Sequence, residues 1–150
     1  GVDPYYLLHK SQQSGYIPDL MRKAREVNDN MPTYIAQDFL ATLIKKKINP
    51  VDCKVGMLGF TFKENCPDIR NTKAYDLYNA LCALGLDVKI IDPWADKEEV
   101  KAEYSLDILS EFNPDDLDVM LLTIGHEKLV RKCILLKDKK YIYDFKGLLA

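Results

Sequence analysis

The apolar run Val55-Gly-Met-Leu-Gly-Phe60 passes into a polar loop and then, from Lys73, into a helical period. This strand–loop–helix order constrains the fold most, because a buried strand feeding a helix belongs to a parallel α/β sheet. In such a sheet the loop after the strand lies at the carboxyl edge, where these folds bind ligands. Here that loop carries Lys63, Asp68 and Arg70. Two cations held there suggest an anionic ligand, above all a phosphate group, and so a nucleotide. Asp68 is expected to fix the pose of Arg70.

The alternation continues along the chain. Residues 53–60 and 88–92 read as strands on either side of a helix over 73–84. That helix places Ala74, Leu77, Tyr78, Leu81 and Leu84 on one face, and Gly85 supplies its stop. A short helix over 96–103, an almost wholly apolar strand over 119–124, a helix over 127–133 and a strand over 141–145 follow. The expected fold class is α/β, a doubly wound, mainly parallel Rossmann-like sheet. A helical segment precedes it. Asp3 and Pro4 are a helix start, with the helix expected over 4–13 and a stop at Gly15. A longer pattern begins at Pro18-Asp19, in which Leu20, Ala24, Val27, Met31, Ile35, Phe39 and Leu43 recur on one face. Pro32 should kink or split it. Lys45-Lys46-Lys47 suits a solvated helix C-terminus. The expected division is a helical part over 1–48 and an α/β nucleotide-binding domain over 49–150.

Of the 150 residues, 47% are apolar and 29% charged, with a net charge of −2, which is the balance of a globular chain. That charge gives no electrostatic case for nucleic acid or an anionic membrane. No apolar run approaches the ~20 residues that a membrane-spanning helix needs. Gly1-Val-Asp-Pro lacks the basic start and apolar stretch of a signal peptide, and Gly1 in place of Met suggests a fragment or a processed product. Cys53, Cys66, Cys82 and Cys133 form no C-x-x-C pair and have two His for company, so no metal site is expected. Cys82 reads as a small core residue. Reduced thiols suit a cytoplasmic protein.

Gly56 and Gly59 invite a dinucleotide-binding interpretation, but their spacing does not give G-x-G-x-x-G. They suit close packing and a tight turn instead. Cys66 lies in a cationic loop, yet no His near it in sequence could serve as its base. His126 follows the 119–124 strand on the same ligand-binding edge, where a polar loop residue beside a helix start is the plainer role. Asp92 ends its strand as a ribose-binding acid would, without the glycines that normally accompany one. His9 has no partner that suggests a role.

At this point the residues resemble a known family. Phe62-Lys63, Asp68 and Arg70 are similar to the F-K-x-x-T-x-D-x-R signature of the UDP-glucose/GDP-mannose dehydrogenases, with Cys66 in place of the Thr. Gly1-Val-Asp-Pro-Tyr-Tyr-Leu7 looks like the segment after that family's catalytic cysteine. Ala24-Arg-Glu-Val-Asn-Asp29 resembles its central helix, and Asp144-Phe-Lys-Gly147 its closing D-x-[RK]-G. The G-V-D-P-Y-Y and F-K-E-N variants look most like the branch acting on UDP-N-acetylhexosamines. The resemblance implies an NAD-dependent enzyme that oxidises C6 of the sugar twice through a cysteine-bound intermediate, and a homodimer built through the long helix of residues 19–46. It further implies that the NAD domain, the nucleophilic cysteine and a catalytic lysine lie upstream of Gly1, so that this chain alone is inactive. By matching positions, Asp3 becomes the acid that assists proton transfer, and Phe62, Lys63 and Lys146 line the UDP-sugar site. Arg70 reaches the NAD. Lys146 stands where many members have Arg. The rival from another class is a free-standing, non-catalytic module of flavodoxin-like type.

Overall fold

The computed structural model describes His9, Lys10, Gln13 and residues 19–149. The first three are helical; Asp3 and the rest of the expected 4–13 helix lie outside the described residues. Four longer helices follow: α1 (Asp19–Lys45), α2 (Lys73–Ala83), α3 (Lys97–Tyr104) and α4 (Glu127–Leu136). The strands are β1 (Lys54–Leu58), β2 (Asp87–Ile91), β3 (Ile108–Leu109), β4 (Val119–Leu122) and β5 (Tyr141–Tyr143).

The five strands lie in the order β3-β2-β1-β4-β5, and every neighbouring pair is parallel. This is the arrangement of dinucleotide-binding halves; a flavodoxin-type sheet has the order 2-1-3-4-5. The sequence order reverses between β1 and β4, so the loops after these two strands flank the crevice at the switch point. Alternation along the strands sorts the core into two layers. Val55, Met57, Val119 and Leu121 face the layer that α1, α2 and α3 cover, with Phe39, Leu43, Leu77, Leu81 and Val100. Leu58, Met120 and Leu122 face the other way, onto Leu129 and Cys133 of α4.

Local chemistry accounts for the element ends. Thr72 caps α2 by accepting from the Ala74 N–H at 3.1 Å. At its other end Gly85 takes φ +83°, with Gly85 N–H on Cys82 O at 2.9 Å and Leu86 N–H on Leu81 O at 3.3 Å. That is a Schellman stop, which needs a residue tolerant of left-handed backbone. Asp96 caps α3 through the Glu99 N–H at 3.0 Å.

Two expectations need correction. Pro32 does not split α1; it is buried inside a continuous 27-residue helix. Cys82 is exposed rather than core, because the buried face of α2 runs through Ala74, Leu77 and Leu81 and Cys82 is one position past it. The buried thiols are Cys53 and Cys133, and burial raises the pKa of each to about 11. The two-residue β3 was not anticipated at all.

Candidate functional site

The loop over 59–72 leaves β1 at the carboxyl edge. Gly59 opens it with φ +99°, and a Cβ there would lie 2.7 Å from the backbone nitrogen of Ile124. Only glycine allows the loops after β1 and β4 to approach so closely. Phe60 is fully buried and meets Tyr104 edge to face at 5.4 Å, while the Tyr104 hydroxyl donates to Ile69 O at 2.7 Å. The Thr72 hydroxyl donates to Phe60 O at 2.6 Å, and Phe62 N–H donates to Asp68 O at 2.7 Å. These contacts fold the loop back on itself and turn Phe62 outward, 50% exposed.

Asp92, one residue past β2, organises the edge. Its Oδ2 accepts from Phe60 N–H at 2.6 Å, Thr61 N–H at 3.0 Å and His126 Nε2 at 3.0 Å. Its Oδ1 accepts from Trp94 N–H at 2.7 Å and Ala95 N–H at 3.1 Å. Burial alone would raise its pKa, but the bonds from His126, Phe60 and Trp94 outweigh burial and hold the carboxyl below its usual range. A carboxylate with five donors on it has no acceptor capacity left for a ribose hydroxyl, so Asp92 is an organiser of loops and not a ribose acid.

The predicted site residues take up different positions. Asp68 grips Arg70 with both oxygens, Nε to Oδ1 at 2.9 Å and a second guanidinium nitrogen to Oδ2 at 2.8 Å, as expected. The Arg70 guanidinium lowers the Asp68 pKa to about 2, and Arg70's own is raised in return. The guanidinium remains largely exposed and borders a cleft of about 790 Å³ with Arg25, Asp29, Tyr75 and Glu103. A second, more apolar cleft of about 230 Å³ lies between α1, the β1 loop and the closing segment. Phe62 borders both clefts, and Lys146 borders the second beside Met31, Ile35 and Phe145. Asp144 braces the turn that carries Lys146, accepting from the Lys146 N–H at 3.2 Å and the Leu149 N–H at 2.8 Å. Lys63 borders neither cleft, although its ammonium is exposed and has no hydrogen-bond or ion-pair partner among the described residues. Asp3 lies outside the described residues.

The structure thus places Phe62 and Lys146 on one cleft and Arg70 on the other, with Phe62 bordering both. Sequence reasoning missed Thr61 and Trp94. Thr61 is buried, with its hydroxyl donating to Lys63 O at 3.1 Å. Trp94 is exposed on the same edge, its ring stacked 6.4 Å from that of His126. The available signal was an aromatic directly after Asp92-Pro93 at a strand end.

The NAD that the resemblance implies does not fit the β1–α2 turn. Besides the missing glycine spacing, the N–H groups of Phe60 and Thr61 are occupied by Asp92, and the first turn of α2 is capped by Thr72. The Phe60, Thr61 and Ala74 N–H groups are therefore not available to a pyrophosphate. Among the described residues no group of three or more His, Cys, Asp or Glu could hold a metal ion, and no helix is long and apolar enough to cross a membrane.

Comparison with known proteins bears on the same segment. Residues 56–150 match the model of the UDP-glucose/GDP-mannose dehydrogenase family, UDP binding domain. UDP-N-acetyl-D-glucosamine 6-dehydrogenases of Salmonella typhi and Pseudomonas aeruginosa are 43% and 35% identical to the chain over 99% of its length. The chain spans 36% of either relative. A solved UDP-N-acetyl-mannosamine dehydrogenase, Cap5O from S. aureus, superposes with TM-score 0.69 at 26% identity, over 99% of this chain and 33% of that one. A UDP-D-ManNAc dehydrogenase from Pyrococcus horikoshii shares the fold, with TM-score 0.76 at 20% identity, covering 99% and 34%. The chain belongs to the UDP-glucose/GDP-mannose dehydrogenase family, and it carries that family's UDP binding domain.

Proposed function

We propose that this chain is the nucleotide-sugar-binding part of a cytoplasmic, NAD-dependent 6-dehydrogenase that converts a UDP-N-acetylhexosamine to the uronate. The observation that carries this reading is the exposed Phe62, set beside Lys146 on a cleft at the switch point, within a segment matched to a UDP binding domain. An aromatic face and a cation are what a uridine nucleotide's flat base and phosphates require. Lys63, next to Phe62 and unpaired, adds a second cation for the diphosphate. The acetylated sugar is inferred from the 43% identical relative, whose name specifies UDP-N-acetyl-D-glucosamine.

In this proposal residues 49–150 bind the UDP-sugar, and the part over 1–48 ends a helical dimerisation region. Arg70, held rigid by Asp68, is the side chain that meets the NAD from across an interdomain cleft. Asp3 assists proton transfer at the sugar. With no dinucleotide cradle among the described residues, the hydride acceptor must be held by other parts of a longer protein. The exposed apolar residues of α1 (Leu20, Val27 and Tyr34) pair with those of a second copy.

Calorimetry with UDP on the 150-residue chain tests the core of the reading. UDP should bind, and Lys63→Ala should weaken binding by ~1–3 kcal/mol if its ammonium meets a phosphate. Absence of UDP binding would refute the assignment; an unchanged Lys63→Ala affinity would remove that residue from the site. A longer protein that supplies a cysteine upstream of Gly1 should form NADH with UDP-N-acetylglucosamine, and the 150-residue chain should not.

A further inference from the structure

A fully buried histidine ties together the three loops of the binding edge. His126 occupies the N-cap position of α4, yet its side chain caps nothing there. Its Nδ1 accepts from the Asn65 N–H at 2.9 Å. A ring nitrogen that accepts from an N–H carries no proton, so the imidazole hydrogen is on Nε2 and is directed to Asp92 Oδ2, 3.0 Å away. Thr61 Oγ1 lies 3.0 Å from the same nitrogen and donates onward to Lys63 O. The Glu127 N–H closes the circuit on Asn65 Oδ1 at 3.1 Å.

The consequence falls on residues 62–64. On one side, Thr61 is held by Asp92 and His126; on the other, Asn65 is held by His126 and Glu127. Asn65 sits at φ +53°, a left-handed turn that directs the chain between the two anchors. Phe62 and Lys63 are therefore presented from a segment clamped at both ends by one ring. We propose that His126 is a positioning residue for nucleotide binding, acting on Phe62 and Lys63 through its bond to Asn65 without touching the ligand. This rests on the reading of the site as a uridine-nucleotide site.

Two substitutions separate positioning from plain core stability. In His126→Gln the longer amide can still donate to Asp92, as Nε2 does, but the acceptor for Asn65 is lost. In His126→Asn the shorter amide oxygen falls near the place of Nδ1 and can still accept from Asn65, while Asp92 loses its donor. UDP affinity of the 150-residue chain should fall about five- to tenfold in His126→Gln, the equivalent of one lost hydrogen bond. It should stay within about threefold of wild type in His126→Asn, even though that variant melts earlier. Affinities that instead follow the melting temperatures, or a His126→Gln that binds UDP like wild type, would overturn the proposal. If wild type itself fails to bind UDP, the uridine reading falls and takes this inference with it; binding by wild type and His126→Gln alike removes only the inference. Should His126→Gln not fold, amide exchange in the free wild-type chain decides: Asn65 must exchange slowly compared with Glu64, and equal rates would refute the clamp.

Discussion

The two halves of α1 carry one apolar period and have opposite fates. In the second half Ile35, Ala36, Phe39 and Leu43 are buried against the sheet and α2. In the first half the same stripe continues through Leu20 and Val27, which are 84% and 61% exposed. A helical period therefore identifies a face, and only the rest of the structure says what covers it. The buried half is also tied down by polar contacts: Tyr143 of β5 donates to Asp38 and tilts against Phe39 at 5.2 Å. In the first half, Asp29 is tethered to the domain by Lys73, at 3.0 Å in a solvent-exposed ion pair.

The sharpest way to break this comparison is a pair of truncations. Phe39→Ala should cost ~3–5 kcal/mol in chemical denaturation, since it empties a fully buried aromatic site. Leu20→Ala should stay within about 0.5 kcal/mol. Similar losses from both would mean that the two halves are equally built into the fold. A smaller effect is expected at the proposed interface between copies. Val27→Glu should weaken self-association by at least about tenfold in sedimentation while leaving the unfolding midpoint of the dilute protein unchanged. Wild-type chain that stays monomeric at high concentration would leave the exposed half without the proposed partner.

The smallest expected effect sharpens the role of the anchor. Burial, then the bond to Asp38, raises the Tyr143 pKa above its ordinary value of 10.0. A raised pKa means stability that is complete below pH 10 and lost as pH climbs toward the folded value. Denaturant midpoints should therefore fall as pH rises above about 10. Tyr143→Phe should cost about 1 kcal/mol at neutral pH and flatten that alkaline decline. An unaltered alkaline decline in the variant would show that Tyr143 is not its source.

Sequence made the sheet legible where burial left an unbroken apolar signature, as in Val119–Leu122, and where a cap or stop was written into the chain, as at Thr72 and Gly85. It could not reveal β3, since two residues are too few to carry a period. Phe62, Asp68 and Arg70 were legible because they lie within nine positions of one another on one loop. The role of His126 was not, for its partners Asp92 and Asn65 are 34 and 61 positions away. Long-range polar networks leave no local trace.

The five donors gathered on Asp92 also bear on how such domains can be re-engineered. They come from the loop after β1, the turn after β2 and the start of α4. Grafting the 59–72 loop of another member of the family into this scaffold would take two donors from Asp92 unless the transplanted backbone reached the same carboxylate. Specificity swaps in this protein should therefore move all three segments as one cassette, and single-loop chimeras should express as poorly folded products.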